Sequence, residues 1–268
     1  MGNDLQAVIF DVDGTLADTE LHGHRVAFNQ AFAEAGLDWT WSPALYGELL
    51  KVTGGKERIR RYIDEYVPGF SGPADLDGFI AGLHRAKNGH YAALAAAGEI
   101  PLRPGVRRLL DEARAAGLRL AIATTTSFEN VEALLIHALA TDAMNWFEVI
   151  AAGDVVPAKK PAPDIYHYTL HELGLPASAC LALEDSANGL RSALAAAIPT
   201  LVTVCDYTRQ DHFSGAALVV DQLGEPGQPF KLIDGAWDDA APAWIDVAAL
   251  RRIHRHASQD GIHQQAAR

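Results

Sequence analysis

The chain of 268 residues predicts an α/β fold, a parallel sheet flanked by helices with a small all-helical domain inserted after the first strand. Three observations predict it. Short apolar runs stop abruptly at acidic or hydroxyl residues, helix-patterned stretches separate those runs, and from about residue 20 to 98 the alternation gives way to helical patterns alone. The predicted organisation is a core built from residues 1–19 and 99–223, a helical insert over 20–98 and a C-terminal extension over 224–268.

The first strand is the run Ala7-Val8-Ile9-Phe10, which ends at Asp11-Val12-Asp13-Gly14-Thr15 as a buried strand delivering acids to its carboxyl edge does. Residues Ala27 to Ala35, Ala44 to Val52, Lys56 to Tyr66 and Leu76 to Ala97 follow as helices of the insert. The core resumes with a helix over Gly105 to Ala116 and a strand from Leu118 to Ala123, which ends in Thr124-Thr125-Thr126-Ser127. Helices over Glu129 to Ala140 and Pro163 to Leu173 lead to the strand Cys180 to Leu183, closed by Glu184-Asp185-Ser186. A helix over Ser186 to Ala197 and a strand over Pro199 to Val204 complete the alternation. The run 224–229 reads as a linker, and Val247 to His256 as a short basic helix. Phe230, Trp237 and Trp244 are the residues through which the extension packs on the core, if it packs.

Hydrophobic residues are 49% and charged residues 21%, ordinary for a globular protein and wrong for a disordered, collagenous or coiled-coil chain. Asp and Glu outnumber Lys and Arg by 34 to 22, a net charge of −12 that repels nucleic acid and anionic membranes. The longest stretch without a charged residue, Ser192 to Cys205, is fourteen residues and contains Pro199, whereas a membrane span needs about 20. The N-terminus lacks a basic n-region, and Gln6 stands where a myristoylation signal needs Ser or Thr, so the expectation is cytoplasmic. Cys180 and Cys205 sit in apolar runs without CxxC spacing and read as core residues.

In a parallel sheet ligands sit beyond the carboxyl ends of the strands, so the polar clusters converge on one edge. Asp11 and Asp13 lie two apart, on one face of extended backbone. Two carboxylates at about 4 Å repel by ~4 kcal/mol at an effective dielectric near 20, and Glu184 and Asp185 add more negative charge. An all-oxygen cluster of this kind suits a hard dication, most plausibly magnesium, with Lys160 as a further positive charge. A strand-end turn is the bland alternative for the Asp pair. A calcium loop starting at Asp11 fails at Leu16 and His22, and a nucleotide loop at Gly55-Lys56 fails at Leu50 and Glu57.

Asp11-Val12-Asp13-Gly14-Thr15-Leu16, Thr124, Lys160-Pro161-Ala162-Pro163-Asp164 and Glu184-Asp185-Ser186 resemble, in order and spacing, the four motifs of the haloacid dehalogenase superfamily. The insert resembles the C1-type cap of its β-phosphoglucomutase-like group. Phe28-Asn29, Thr53-Gly54-Gly55-Lys56-Glu57-Arg58, Arg103-Pro104-Gly105-Val106 and Ala123-Thr124-Thr125-Thr126 resemble the CbbY-type sugar bisphosphate phosphatases within it. The resemblance covers residues 5 to 223 and implies a Rossmann-like core. It implies that Asp11 is the nucleophile that becomes an aspartyl-phosphate and that Asp13 is the general acid and then base. Thr124 and the Thr125 backbone N–H would hold phosphoryl oxygens, with Lys160, rather than the adjacent Lys159, neutralising their charge. Asp11, the Asp13 carbonyl and Asp185 would hold magnesium, with Glu184 either a direct ligand or one shell further out.

A small sugar phosphate needs its far end recognised by the insert. Lys56, Arg58 and Lys87 are the candidates, with Gly54 and Gly55 presenting backbone amides and Thr53 a hydroxyl; a solvated helix face is the alternative for Lys56 and Arg58. Glu20 and His24 fall at the hinge. The resemblance expects a histidine twelve residues after the nucleophile, where Gly23 stands, so either the segment holds one extra residue or the role of His24 is altered. His90, His137, His167 and His171 carry no expected chemistry. The leading expectation is a monomeric magnesium-dependent phosphatase acting on a small-molecule sugar phosphate, with xylulose-1,5-bisphosphate the substrate the resemblance points to. A hexose phosphate mutase is the alternative, and a non-catalytic binding protein a remote one.

Overall fold

A computed structural model describes residues 4–238 and 240–266, the side chains of 258–266 excepted. The N-terminal reading at Met1 and Gly2 and the end of the tail therefore lie outside the described residues.

Seven strands form one sheet: β1 (Ala7–Phe10), β2 (Arg119–Ala123), β3 (Val149–Ala151), β4 (Cys180–Glu184), β5 (Thr200–Thr203), β6 (Leu218–Val220) and β7 (Leu232–Asp234), in the order β3-β2-β1-β4-β5-β6-β7. All pairs are parallel except β6–β7. The chain moves outward from β1 through β2 to β3 and then returns to start β4 on the other side of β1. The sheet therefore has its switch point at β1/β4, where a crevice opens at the carboxyl edge. Register sets Phe10 against Ile122 and Leu183, which brings Asp11 level with Glu184.

Alternation along these buried strands divides the core. Val8, Phe10, Leu120, Ile122, Leu181 and Leu183 face one side, where α5 (Val106–Ala115), α6 (Phe128–Leu134) and α9 (Val247–Ala266) cover them. Ala7, Ile9, Ala121, Ala123 and Ala182 face the other, where small side chains let α7 (Asp164–Leu173) and α8 (Ala187–Ala195) pack closely. Phe230, Ile245, Leu250 and Ile253 of the extension belong to the first cluster, and Phe230 meets Trp237 edge-on at 5.0 Å. Trp244 is half-buried outside that cluster, and its neighbour Ile245 fills the core instead.

The insert supplies α1 (Arg25–Glu34), α2 (Pro43–Leu49), α3 (Gly55–Tyr66) and α4 (Leu76–Ala96), whose apolar faces bury a separate aromatic cluster around Phe28, Phe32, Trp41 and Tyr46. The two linkers to the core run side by side, with Ala17 bridged to Leu102 and the Asp18 N–H on the Pro101 carbonyl at 3.0 Å.

Three differences from the sequence reading have physical causes. Strands β3, β6 and β7 were not expected, because three residues carry no readable alternation and β7 is exposed throughout. The helix expected over Glu129 to Ala140 stops at Leu134 and continues as a π-helical turn, Leu135–Leu139. The last helix runs ten residues beyond His256, to Ala266. Among the described residues no helix is long and apolar enough to cross a membrane.

Candidate active site

Asp11, Glu184 and Asp185 leave the adjoining ends of β1 and β4, all buried, with one oxygen of each within 4.8 Å of the others. Lys160 enters from the loop before α7 and donates to Asp11 Oδ1 at 2.9 Å, Glu184 Oε1 at 2.6 Å and the Ala123 carbonyl at 2.8 Å. Lys159 points elsewhere, to Glu57 and Asp154. Of the two adjacent lysines, Lys160 therefore occupies the acidic cluster. Tyr166 donates to the same Glu184 oxygen, while Glu184 Oε2 is buried without a hydrogen-bond partner.

Three carboxylates against one ammonium leave excess negative charge in a dry place. Burial, opposed by Lys160 and reinforced by Glu184 and Asp13, pushes Asp11 up to about 7. Burial, Asp11 and Glu184 likewise raise Asp185 well above the carboxylate range. Burial works against the charge on Lys160, yet Asp11 and Glu184 outweigh it and raise its proton affinity. Buried, all-oxygen and short of positive charge, the cluster fits a hard dication.

Asp13 does not join the trio. Its Oδ1 accepts from Thr19 Oγ1 at 2.7 Å and meets His24 Nε2 at 2.8 Å, while Lys87 Nζ lies 2.7 Å from His24 Nδ1. Burial alone would raise Asp13, but the charge and hydrogen bond of His24, with help from Thr19 and Lys87, bring it down to about 2. Burial lowers Lys87 to about 7. His24 closes a π-helical turn, Glu20–His24, that sets its ring beside Asp13. Gly23 occupies the expected histidine position because it packs against Tyr91 and Ile100, where a Cβ would collide with both. Tyr91 in turn stacks on His24 at 4.4 Å.

Two adjoining cavities share Asp13, Glu20, Arg58 and Thr125 as walls. One, of about 330 Å³, holds Asp11, Thr124, Lys160 and Asp185, with Thr53 at its cap side. The other, of about 350 Å³, holds Gly54, Gly55, Lys56 and Lys87. Glu184 lines neither and lies behind Lys160. Thr124 is buried and accepts from the Thr126 N–H at 3.3 Å.

Cap and core already touch around these cavities. Lys56 pairs with Asp154 at 3.0 Å, Asn188 donates to Thr53 Oγ1 at 3.3 Å, and Asn88 donates to Ser127 Oγ at 3.2 Å. Arg58 donates to Tyr46 OH at 3.0 Å, and Tyr46 donates to Glu20 Oε2 at 2.5 Å, so the phenol links an acid and a base that do not meet directly. Tyr46, Asp154, Tyr166, Thr19 and Asn188 went unnoticed in the sequence. Their partners lie on other elements or across turns, and no local spacing marks them.

A model of haloacid dehalogenase-like hydrolases matches residues 5–197. The CbbY protein encoded on a plasmid of Cupriavidus necator is 50% identical over 251 residues, 93% of this chain and 97% of that one. CbbY of Rhodobacter capsulatus is 53% identical over 213 residues, covering 80% and 91%. The crystal structure of a mutant CbbY from Rhodobacter sphaeroides in complex with xylulose-(1,5)bisphosphate superposes with a TM-score of 0.76 at 50% identity, over 81% of this chain and 94% of that one.

Proposed function

Because the chain belongs to the haloacid dehalogenase-like hydrolases and is a phosphatase, we propose that it removes one phosphate from a sugar bisphosphate, xylulose-1,5-bisphosphate, with magnesium in the acidic cluster. The supporting observation is the pair of adjoining cavities. One is floored by Asp11, Thr124 and Lys160, the other is walled by Lys56 and Lys87, and Arg58 lines both, an arrangement that suits a ligand with an anion at each end.

Asp11 is the nucleophile: a carboxylate oxygen attacks phosphorus, the P–O bond to the sugar breaks, and the aspartyl-phosphate is then hydrolysed by water. Thr124 and the Thr125 N–H hold phosphoryl oxygens, and Lys160 offsets the charge that gathers on them. Asp11, Asp185 and the Asp13 carbonyl would hold magnesium, and Glu184, committed to Lys160 and Tyr166, supports the lysine. The ion, when bound, supplies positive charge that keeps the carboxylates ionised and draws charge from the transferring group.

Asp13 as it stands is a carboxylate at neutral pH. A phosphate dianion placed beside it raises its proton affinity, so substrate binding loads the proton that Asp13 then gives to the leaving sugar oxygen. In the second half-reaction Asp13 takes a proton from the attacking water. The cap residues contribute by holding the far phosphate and excluding bulk water, with Glu20 available to a sugar hydroxyl through the oxygen that Tyr46 leaves free.

Phosphate release from a panel of sugar phosphates, with and without magnesium, tests the reading. Fastest turnover of xylulose-1,5-bisphosphate, lost on chelation, is the expected result. Equal slow turnover of all members contradicts the bisphosphate preference, and conversion of a hexose 1-phosphate into its 6-phosphate without phosphate release establishes the mutase instead.

A further inference from the structure

The reaction leaves Arg103 without a role, although it opens the conspicuous Arg103-Pro104-Gly105-Val106 string on the linker that returns from the cap. Its guanidinium meets no carboxylate among the described ion pairs and gives its donors to backbone carbonyls instead. One terminal nitrogen donates to Gly14 and to Thr203 at 2.7 Å, the other to Val204 at 2.7 Å and Asp221 at 2.6 Å. These carbonyls come from the loop after β1 and from the ends of β5 and β6. Its own N–H donates to the Leu16 carbonyl at 3.0 Å, in the outgoing linker.

We infer that Arg103 is a positioning residue for the metal-binding edge, fixing the backbone just after Asp13, which carries the Asp13 carbonyl, and the end of β5, which leads to the Cys205 thiol that holds the Asp185 carboxylate. The inference rests on the magnesium ligands proposed above. Both segments gripped by Arg103 end on the same atom. Gly14, one residue past Asp13, has φ +77° and approaches Asp185 Oδ2 so closely that a Cβ there would collide with it. Val204 leads directly to Cys205, whose Sγ donates to Asp185 Oδ2 at 3.1 Å. A lysine keeps the charge but cannot reach four carbonyls with a planar fork. Outer groups that orient metal ligands typically change metal affinity by about 10- to 100-fold when removed.

The test is calorimetric titration of the full chain with magnesium alone, no substrate present, for the wild type and for Arg103→Lys, Cys205→Ala, Cys205→Ser and Asp185→Asn. Arg103→Lys is expected to weaken magnesium binding by about tenfold or more and Cys205→Ala by a few-fold, with Cys205→Ser restoring it. Turnover by Arg103→Lys should recover at saturating magnesium with an unchanged KM for the sugar phosphate. Wild-type magnesium affinity in Arg103→Lys and Cys205→Ala, with Asp185→Asn unable to bind, overturns the positioning role and leaves the metal reading standing. A lowered Tm with unchanged magnesium affinity in Arg103→Lys also overturns it. Should Arg103→Lys not fold, the Cys205 pair decides. Magnesium binding by Asp185→Asn equal to the wild type overturns the ligand assignment itself.

Discussion

At the carboxyl edge of the sheet three buried carboxylates gather and two of them, Asp11 and Glu184, share one lysine, whereas on the facing cap wall three basic side chains stand apart, each with a different kind of partner. Lys56 meets Asp154 of the core, Arg58 a phenol and Lys87 an imidazole. The edge is fixed by strand register and is short of positive charge. The wall is assembled from separate helices, and its basic side chains stand in a cavity that Asp13, Glu20 and Asp154 also line. On the proposed function a doubly anionic ligand would engage the wall's basic side chains and a dication the edge's carboxylates, so the two regions should respond differently to substitution.

The largest expected effect is at the edge. Asp11→Asn keeps the shape and removes the nucleophile, and phosphate release should fall by about 10⁴-fold or more. Lys160→Met leaves Asp11 and Glu184 buried without their shared cation, so turnover should fall by about 10³-fold, and urea unfolding without magnesium should show about 3 kcal/mol less stability. Unchanged stability in Lys160→Met would break the contrast drawn here.

Substitutions on the wall should act on binding. Arg58→Ala and Lys56→Ala are each expected to raise KM for the bisphosphate by about 10- to 100-fold while changing turnover of a monophosphate little. Equal effects on both substrates would mean that these cations hold the cap and not the ligand. The smallest effect concerns His84, which burial, with Lys87 and Lys56 nearby, lowers to about 3. Because the unfolded chain takes up this proton near 6.5 and the folded chain only near 3, stability is lost as pH falls through that window. The loss is up to about 1 kcal/mol per pH unit, and His84→Gln should flatten that slope in urea unfolding at pH 5 and 7.

The same contrast governs what the sequence revealed. Asp11, Thr124, Glu184 and Asp185 were legible because strand ends carry them to one edge by register, and Lys160 because a contiguous motif marks the loop that brings it there. Gly23 and His24 left open whether the segment held an extra residue or His24 had another role, and the π-helical turn there was illegible, since a change of helical period depends on how Tyr91 and Ile100 pack. Tyr46 and Asp154 were illegible because their partners lie 26 and 98 residues away. Strands β3, β6 and β7 were illegible because three residues cannot show a period.

The most direct test of the account is rapid acid quenching during turnover, followed by mass spectrometry of the peptide that contains Asp11. The account predicts a transient gain of one phosphoryl group on Asp11, absent in Asp11→Asn and longer-lived when Asp13 is replaced by Asn. Turnover at the full rate with no phosphorylated Asp11 at any time would contradict it.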